Sequence, residues 1–258
     1  MIRFVAMFLL LAAPFSRADS GANQFTGAGI GVFTNAYRVW DGAGFDDAVK
    51  LFRNACTNSS ATATNFYWLG VGEFHHALQL LGLPASATNK SAPGKALDAA
   101  VTALTRAVEL DAAHAESHAL LGTIYGMQIG EKWVRAVWLG PSVQKHLKLA
   151  MANGTNNARV EYLLGTSQFY TASRESSRRE ALATLLKAEK LFEAEAKITS
   201  APLEPRWGHG SCLTFIGSCY EKLGQPDDAE TYFRQALTQH PEDGLAKAGL
   251  TRVTKNKK

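Results

Sequence analysis

Several features by which function classes announce themselves are scarce in this 258-residue chain. Its three cysteines, Cys56, Cys212 and Cys219, are too few and odd in number for a disulfide framework. Cys212 and Cys219 fall on one predicted helix, about 10 Å apart along its axis, and cannot pair with each other. All three read as small buried hydrophobes. No apolar run anywhere approaches the roughly 20 residues that a bilayer span needs. Nor does either sign of charge dominate: without Arg3 and Arg17 the 27 basic residues become 25, against 23 acidic ones. That balance is poorly suited to nucleic acid, and the tail Lys255-Asn256-Lys257-Lys258 reads as a solvated end rather than a basic arm. No Ser-His-Asp, Cys-His or paired-carboxylate arrangement can be assigned from spacing, so an enzyme reading has no positive support.

What is present begins with Met1. Arg3, an apolar stretch over residues 4–15 and Ser16-Arg17-Ala18 have the order of an export signal, with cleavage expected after Ala18 and a periplasmic or secreted product. With 46% hydrophobic residues, the remaining chain can bury a continuous core. Its apolar residues recur three and four apart, as one buried helical face requires. Examples are Ala48, Phe52 and Ala55; Ala100, Leu104 and Ala107; Val143, Leu147 and Ala150; and Ala181, Leu185 and Ala188.

One stretch is more specific. Leu213, Ile216, Gly217, Tyr220, Ala229, Phe233, Ala236 and Pro241 fall at the spacing W-x2-L-G-x2-Y…A-x3-F…P, with Leu in place of Trp and Ile in place of Leu. Weaker copies of its first half are Leu121, Gly122 and Tyr125, then Leu164 and Gly165, and Leu69 and Gly70. On these residues the chain resembles exported bacterial tetratricopeptide repeat (TPR) proteins, in detail over the last repeat and loosely over nearly all the rest. Gly140-Pro141 before a helix and Pro205-Arg206-Trp207-Gly208 before the final repeat look like features of a subset of that family. The resemblance implies an all-α, right-handed solenoid of about five helix pairs. They are expected near residues 29–62, 63–114, 115–157, 158–209 and 210–243, with a capping helix over 244–258 that covers the last apolar face. Residues 83–94 read as a mobile turn, and residues 200–210 as the link to the final repeat.

The resemblance also implies a concave groove that binds protein or peptide segments and performs no reaction. Its lining comes from the first helix of each pair, at positions three before, one after and four after the Gly of the Leu-Gly step. Aromatic rings fall there or beside them: Phe33, Tyr37, Trp40, Tyr67, Phe74, Tyr162, Phe169 and Tyr170. These rings, with Trp133 and Trp138, are the expected partner-binding residues, and two readings stay open for them, exposure in the groove and packing in the core. The Lys and Asn with which chaperone-tail binders of this family grip a terminal carboxylate are missing from those positions. Residues 129–141 are expected to form a short helical turn folded over the middle of the groove, opposite Ala119, Thr123 and Gly126. The alternative is packing at the outer edge against Leu147 and Met151.

Other candidates are weaker. His114 and His118 lie one turn apart but lack the H-E-x-x-H pattern and further ligands, and read as a solvated or capping pair. Of His75 and His76, one is expected toward the groove and one toward solvent. Gly27-Ala28-Gly29-Ile30-Gly31 lacks the third Gly and the preceding strand of a dinucleotide loop, and reads as a flexible lead into the first helix. Asn58, Asn89 and Asn153 each begin an N-x-S/T triplet, which matters only in a glycosylating host. Taken together these residues predict a non-catalytic scaffold for a protein or peptide segment, with no cofactor, no metal, no nucleic acid and no integral membrane segment. A small hydrolase or metal-dependent enzyme on a helical scaffold is the alternative, which a deep polar pocket holding His114 and His118 beside carboxylates would favour.

Overall fold

The computed structural model describes residues 19–83, 91–130 and 133–255. The export signal and its cleavage site, most of the expected mobile turn, Glu131-Lys132 and the last three residues lie outside them. The described residues form eleven helices and no strand. In order they are α1 (Asp19–Val39), α2 (Gly42–Cys56), α3 (Ala63–Gly82), α4 (Ala92–Leu110), α5 (Ala115–Ile129), α6 (Trp133–Asn153), α7 (Ala158–Thr171), α8 (Glu175–Glu195), α9 (His209–Lys222), α10 (Pro226–Gln239) and α11 (Gly244–Lys255).

Short polar side chains start several of these helices by accepting amide hydrogens that would otherwise have no partner. Asp41 accepts from Ala43 and Gly44 at 3.1 and 3.2 Å, Asn157 from Arg159 and Val160 at 2.9 and 3.1 Å, and Asp243 from Leu245 and Ala246 at 2.9 and 3.0 Å. The turn between α9 and α10 is made by Gly224 at φ +72°, a conformation that side chains with a Cβ resist, followed by Pro226 in the first turn of α10.

Successive helices pack as antiparallel pairs, α1 with α2 through α9 with α10, and α11 lies against the last pair. Within each pair one close approach repeats. Gly70, Gly122, Gly165 and Gly217 of the first helices face Leu104, Leu147, Leu185 and Phe233 of the second, so near that an added Cβ would come within 2.5 to 2.9 Å of those side chains. The small-large-small triplets Ala48-Phe52-Ala55, Ala100-Leu104-Ala107, Ala181-Leu185-Ala188 and Ala229-Phe233-Ala236 are almost entirely buried, whereas in α6 Val143 and Leu147 are partly buried and Ala150 is buried. This is the physical content of the repeat: a large side chain of one helix fills the space that a missing Cβ leaves on the other.

The same contact corrects the frame of the first pair. In α1 the glycine facing Phe52 is Gly29, where an added Cβ would lie 2.6 Å from the ring; so Gly29 stands at the Leu-Gly step, and not Ala36, the position implied by taking Phe33 as three before it and Tyr37 as one after. The glycines around it lie in the middle of a helix that begins at Asp19 instead of forming a flexible lead. A second correction concerns residues 129–141. From Trp133 onward they are not a separate turn: α6 runs unbroken from Trp133 to Asn153 with Gly140 and Pro141 inside it. Arg135 ties its first turns to the end of α5 through the Gln128 carbonyl, at 3.0 Å.

The two ends of the solenoid meet. The Tyr37 hydroxyl on α1 shares a 2.9 Å hydrogen bond with Ser211 on α9, and its ring lies 4.4 Å edge-on from His240, just after α10. The concave side is thereby closed into an interior.

Candidate binding surface

The aromatic face expected to be an open groove is filled by the chain's own segment over residues 200–208. Trp207, only 3% exposed, inserts between the rings of His75 and Tyr162, with centroids 5.0 and 6.4 Å away. Its indole N–H donates to the Tyr67 hydroxyl at 2.9 Å, and the Trp68 indole donates to the Leu203 carbonyl at 2.8 Å. Arg206 holds the segment's shape by donating to the Glu195 and Ile198 carbonyls and to Ser200 and Glu204. Gly208, at φ +106°, turns the chain into α9 directly after the tryptophan.

Phe33, Tyr37, Tyr67, Phe74, Tyr162 and Phe169 are therefore buried, which decides for the core-packing reading of these six rings. The reason is mutual packing: Phe33 stacks on Tyr37 at 5.7 Å, Phe74 meets His75 at 5.2 Å, and Phe169 meets Phe215 at 5.5 Å. Trp40 is partly buried, whereas Tyr170 and Trp138 stand largely in solvent at 69% and 78% exposure. Trp138 projects from α6 and not into the interior.

Beneath the Tyr67 ring lies a buried polar network that sequence reasoning missed. The Tyr67 hydroxyl donates to Glu116, whose other oxygen accepts from Asn157 at 2.7 Å and from Arg159 Nε at 2.8 Å. The remaining Arg159 nitrogens grip Glu195 in a fork, at 2.7 and 3.0 Å. Burial alone would lower the Arg159 pKa, but Glu116, Tyr67 and Glu195 hold it above the ordinary arginine value. Burial, then Glu116, pushes the Tyr67 hydroxyl well above the usual phenol range, so it stays a neutral donor. The network joins α3, α5, α7 and α8 to the inserted segment.

A pocket of about 550 Å³ opens beside this network. It is lined by Asn23 on α1, Thr62 and Thr64 at the start of α3, His114 and Glu116 at the start of α5, and Asn153 and Asn157 before α7. Residues 202–205 form its rim. His114 caps α5, its Nδ1 accepting from the Ser117 amide at 3.3 Å. Burial lowers its pKa, keeping the ring neutral. His118 turns elsewhere: its Nε2 donates to the Ala112 carbonyl at 3.1 Å, which leaves Nδ1 to accept from His146 Nδ1 at 2.8 Å. Burial, with His118 second, lowers the His146 pKa to about 4. The two histidines of the sequence motif thus serve different contacts. Among the described residues no group of three or more His, Cys, Asp or Glu could hold a metal ion.

Of the other candidates, His75 lies inside the aromatic interior, its Nδ1 2.8 Å from the Val71 carbonyl, and burial lowers its pKa to about 4. His76 is only partly buried. Cys212 and Cys219 are buried free thiols and Cys56 is half-buried.

This geometry can be set beside known proteins. A family model described as tetratricopeptide repeat matches residues 211–243. The crystal structure of TTC0263, a thermophilic TPR protein in Thermus thermophilus, superposes with a TM-score of 0.61 at 16% identity, over 90% of this chain and 98% of that one. The fold is a TPR-like α-solenoid. The crystal structure of MamA protein covers 85% of this chain and 92% of its own at 20% identity, with a TM-score of 0.41, too low to bear on the fold. No curated protein matches the chain. TPR folds are in general non-catalytic scaffolds that bind proteins or peptides. In this TPR-like solenoid the concave face already holds a non-helical segment, and the Trp207 that anchors it carried a sequence signal: a tryptophan in a short linker that contains two prolines, Pro202 and Pro205.

Proposed function

We propose that the protein is a non-catalytic scaffold that binds a protein or peptide segment, working in the periplasm or outside the cell. The observation that carries this reading is the course of residues 200–208. They exemplify what the concave face can hold: a non-helical segment with a tight turn over residues 201–204, whose Leu203 carbonyl accepts from an indole and whose Trp207 side chain sits among rings. The open pocket continues that course across the starts of α3 and α5. Its Asn23, Asn153, Thr62 and Thr64 side chains offer both donors and acceptors, which suits the alternating N–H and C=O groups of a peptide. The partner-binding surface is then this pocket together with Trp40 and Tyr170, rather than the whole aromatic stripe. The hydrolase or metal-enzyme alternative is not supported, because it asks His114 and His118 to work together and both Glu116 oxygens are already engaged.

The test is affinity capture with the mature chain from an envelope fraction, followed by a binding titration with the captured segment as a synthetic peptide. Thr64→Arg, which fills the pocket, is expected to weaken binding by about tenfold or more while leaving the helical circular dichroism unchanged. Undiminished binding by this folded variant would refute the pocket, and failure to capture any segment would refute the scaffold reading. Sequencing of the mature N-terminus checks export, a start at Asp19 being expected and a cytosolic chain starting at Met1 contradicting it.

A further inference from the structure

The outward face of α6 is unlike any other surface described so far. Val134, Val137 and Trp138 are 49%, 63% and 78% exposed, and Lys145 and Lys148 are exposed as well. An α-helix repeats its facing after three turns, or about eleven residues. Val134 and Trp138 therefore share a line with Lys145, and Val137 shares one with Lys148. The inward face, carrying His146, Leu147 and Ala150, packs against α5, where Leu147 meets Gly122 and His146 meets His118 and Tyr125. The whole of α6 contains Arg135, Lys145 and Lys148 and not one carboxylate. The shorter α11 also has no carboxylate, but its Lys247 and Arg252 pair with Glu242 and Glu221 from neighbouring segments, whereas α6 sets its cations beside exposed apolar side chains.

We propose that α6 docks on an anionic lipid surface, with Trp138, Val137 and Val134 entering the boundary between headgroups and acyl chains and Lys145 and Lys148 pairing with lipid phosphates. Apolar groups beside cations, with no anions, is the composition that such a surface selects. A water-facing helix has no use for a tryptophan held out in solvent, whereas an indole gains by sitting where one edge is wet and the other apolar. The helix lies on the bilayer and does not cross it, for no helix among the described residues is long and apolar enough to span a membrane. The inference is independent of the pocket, which opens at the starts of α3 and α5 and involves only Asn153, at the far end of α6.

The test is co-sedimentation of the mature chain with vesicles of phosphatidylglycerol and phosphatidylcholine, with pure phosphatidylcholine vesicles as control, together with tryptophan emission. Binding to the anionic vesicles, a blue shift and weakening by salt are expected. Two double variants read the two parts of the face: Val137→Ser with Trp138→Ser, and Lys145→Gln with Lys148→Gln. Each is expected to lower partitioning roughly tenfold or more without loss of helicity, since all four side chains are exposed. No sedimentation with anionic vesicles would overturn the proposal, as would equal binding by either double variant. Self-association that Trp138→Ser abolishes, without any lipid binding, would also overturn it by making this face a contact between copies.

Discussion

Tyr67 and Trp138 are both large aromatic side chains on helical segments, and they meet opposite fates. Around Tyr67 the chain supplies everything a buried ring needs: neighbouring rings, an indole N–H for the hydroxyl to accept, and a carboxylate to which it donates. Around Trp138 it supplies almost nothing. Burying a large apolar side chain is worth roughly 1.5 to 3 kcal/mol, so a ring the fold can cover will be covered. Trp138 is left out together with Val134 and Val137, and such a contiguous apolar patch is the kind that marks an interaction site. The interior of this solenoid is thus an achieved contact, and the face of α6 an unfinished one.

The sharpest way to break that contrast is to unpair the interior. Arg159→Ala leaves Glu116 and Glu195 without their cation, and loss of one partner of a buried pair typically costs about 3 to 5 kcal/mol. Chemical denaturation should show a loss of that size, and a loss below about 1 kcal/mol would mean that the network is not holding the helices together. Acid probes the same interior next. The folded pKa of His75, about 4, lies below the ordinary 6.5, so between those values the unfolded chain binds more protons than the folded one. The contribution is complete above pH ~6.5 and is lost as pH falls toward ~4, on the order of 3 kcal/mol at about 1.4 kcal/mol per unit. Melting temperatures followed across that range should fall, and His75→Leu should flatten the slope; an unchanged slope would place His75 in water.

Tyr67→Phe is a smaller perturbation, removing one oxygen between Trp207 and Glu116. It should cost about 1 to 3 kcal/mol in denaturation, because two buried partners lose a bond. The smallest effect belongs to the other side of the contrast: Trp138→Ser should change stability by less than about 0.5 kcal/mol. A large loss there would show that α6 needs its tryptophan for folding.

Much of the fold is legible in the sequence because the repeat is written in small residues. Gly217 and Phe233 announce the last pair, and Gly70, Gly122 and Gly165 repeat the same close contact within less complete copies of the motif. The first pair reads one heptad late. Seven residues come within about 20° of two full helical turns, so the face toward the interior is still identified and Phe33 and Tyr37 do point inward. The helix bounds and the role of Gly29 are lost for the same reason. Periodicity cannot reveal the filling of the groove, because it reports which face of a helix is apolar and not what covers it. That depends on contacts between Tyr37 and Ser211, and between Tyr67 and Trp207, far apart in the chain. The 129–141 stretch misleads because Pro141 has the look of a helix start, whereas it lies within the continuous α6.

Residues 200–208 are, on this account, a fixed part of the interior and not a removable lid. Trp207→Ala tests that most directly, measured by denaturant unfolding alongside capture of a partner segment. Loss of a fully packed tryptophan should cost about 3 to 5 kcal/mol, with no gain in capture. Unchanged stability together with stronger capture would contradict the account, since the segment would then be a displaceable occupant of an open groove.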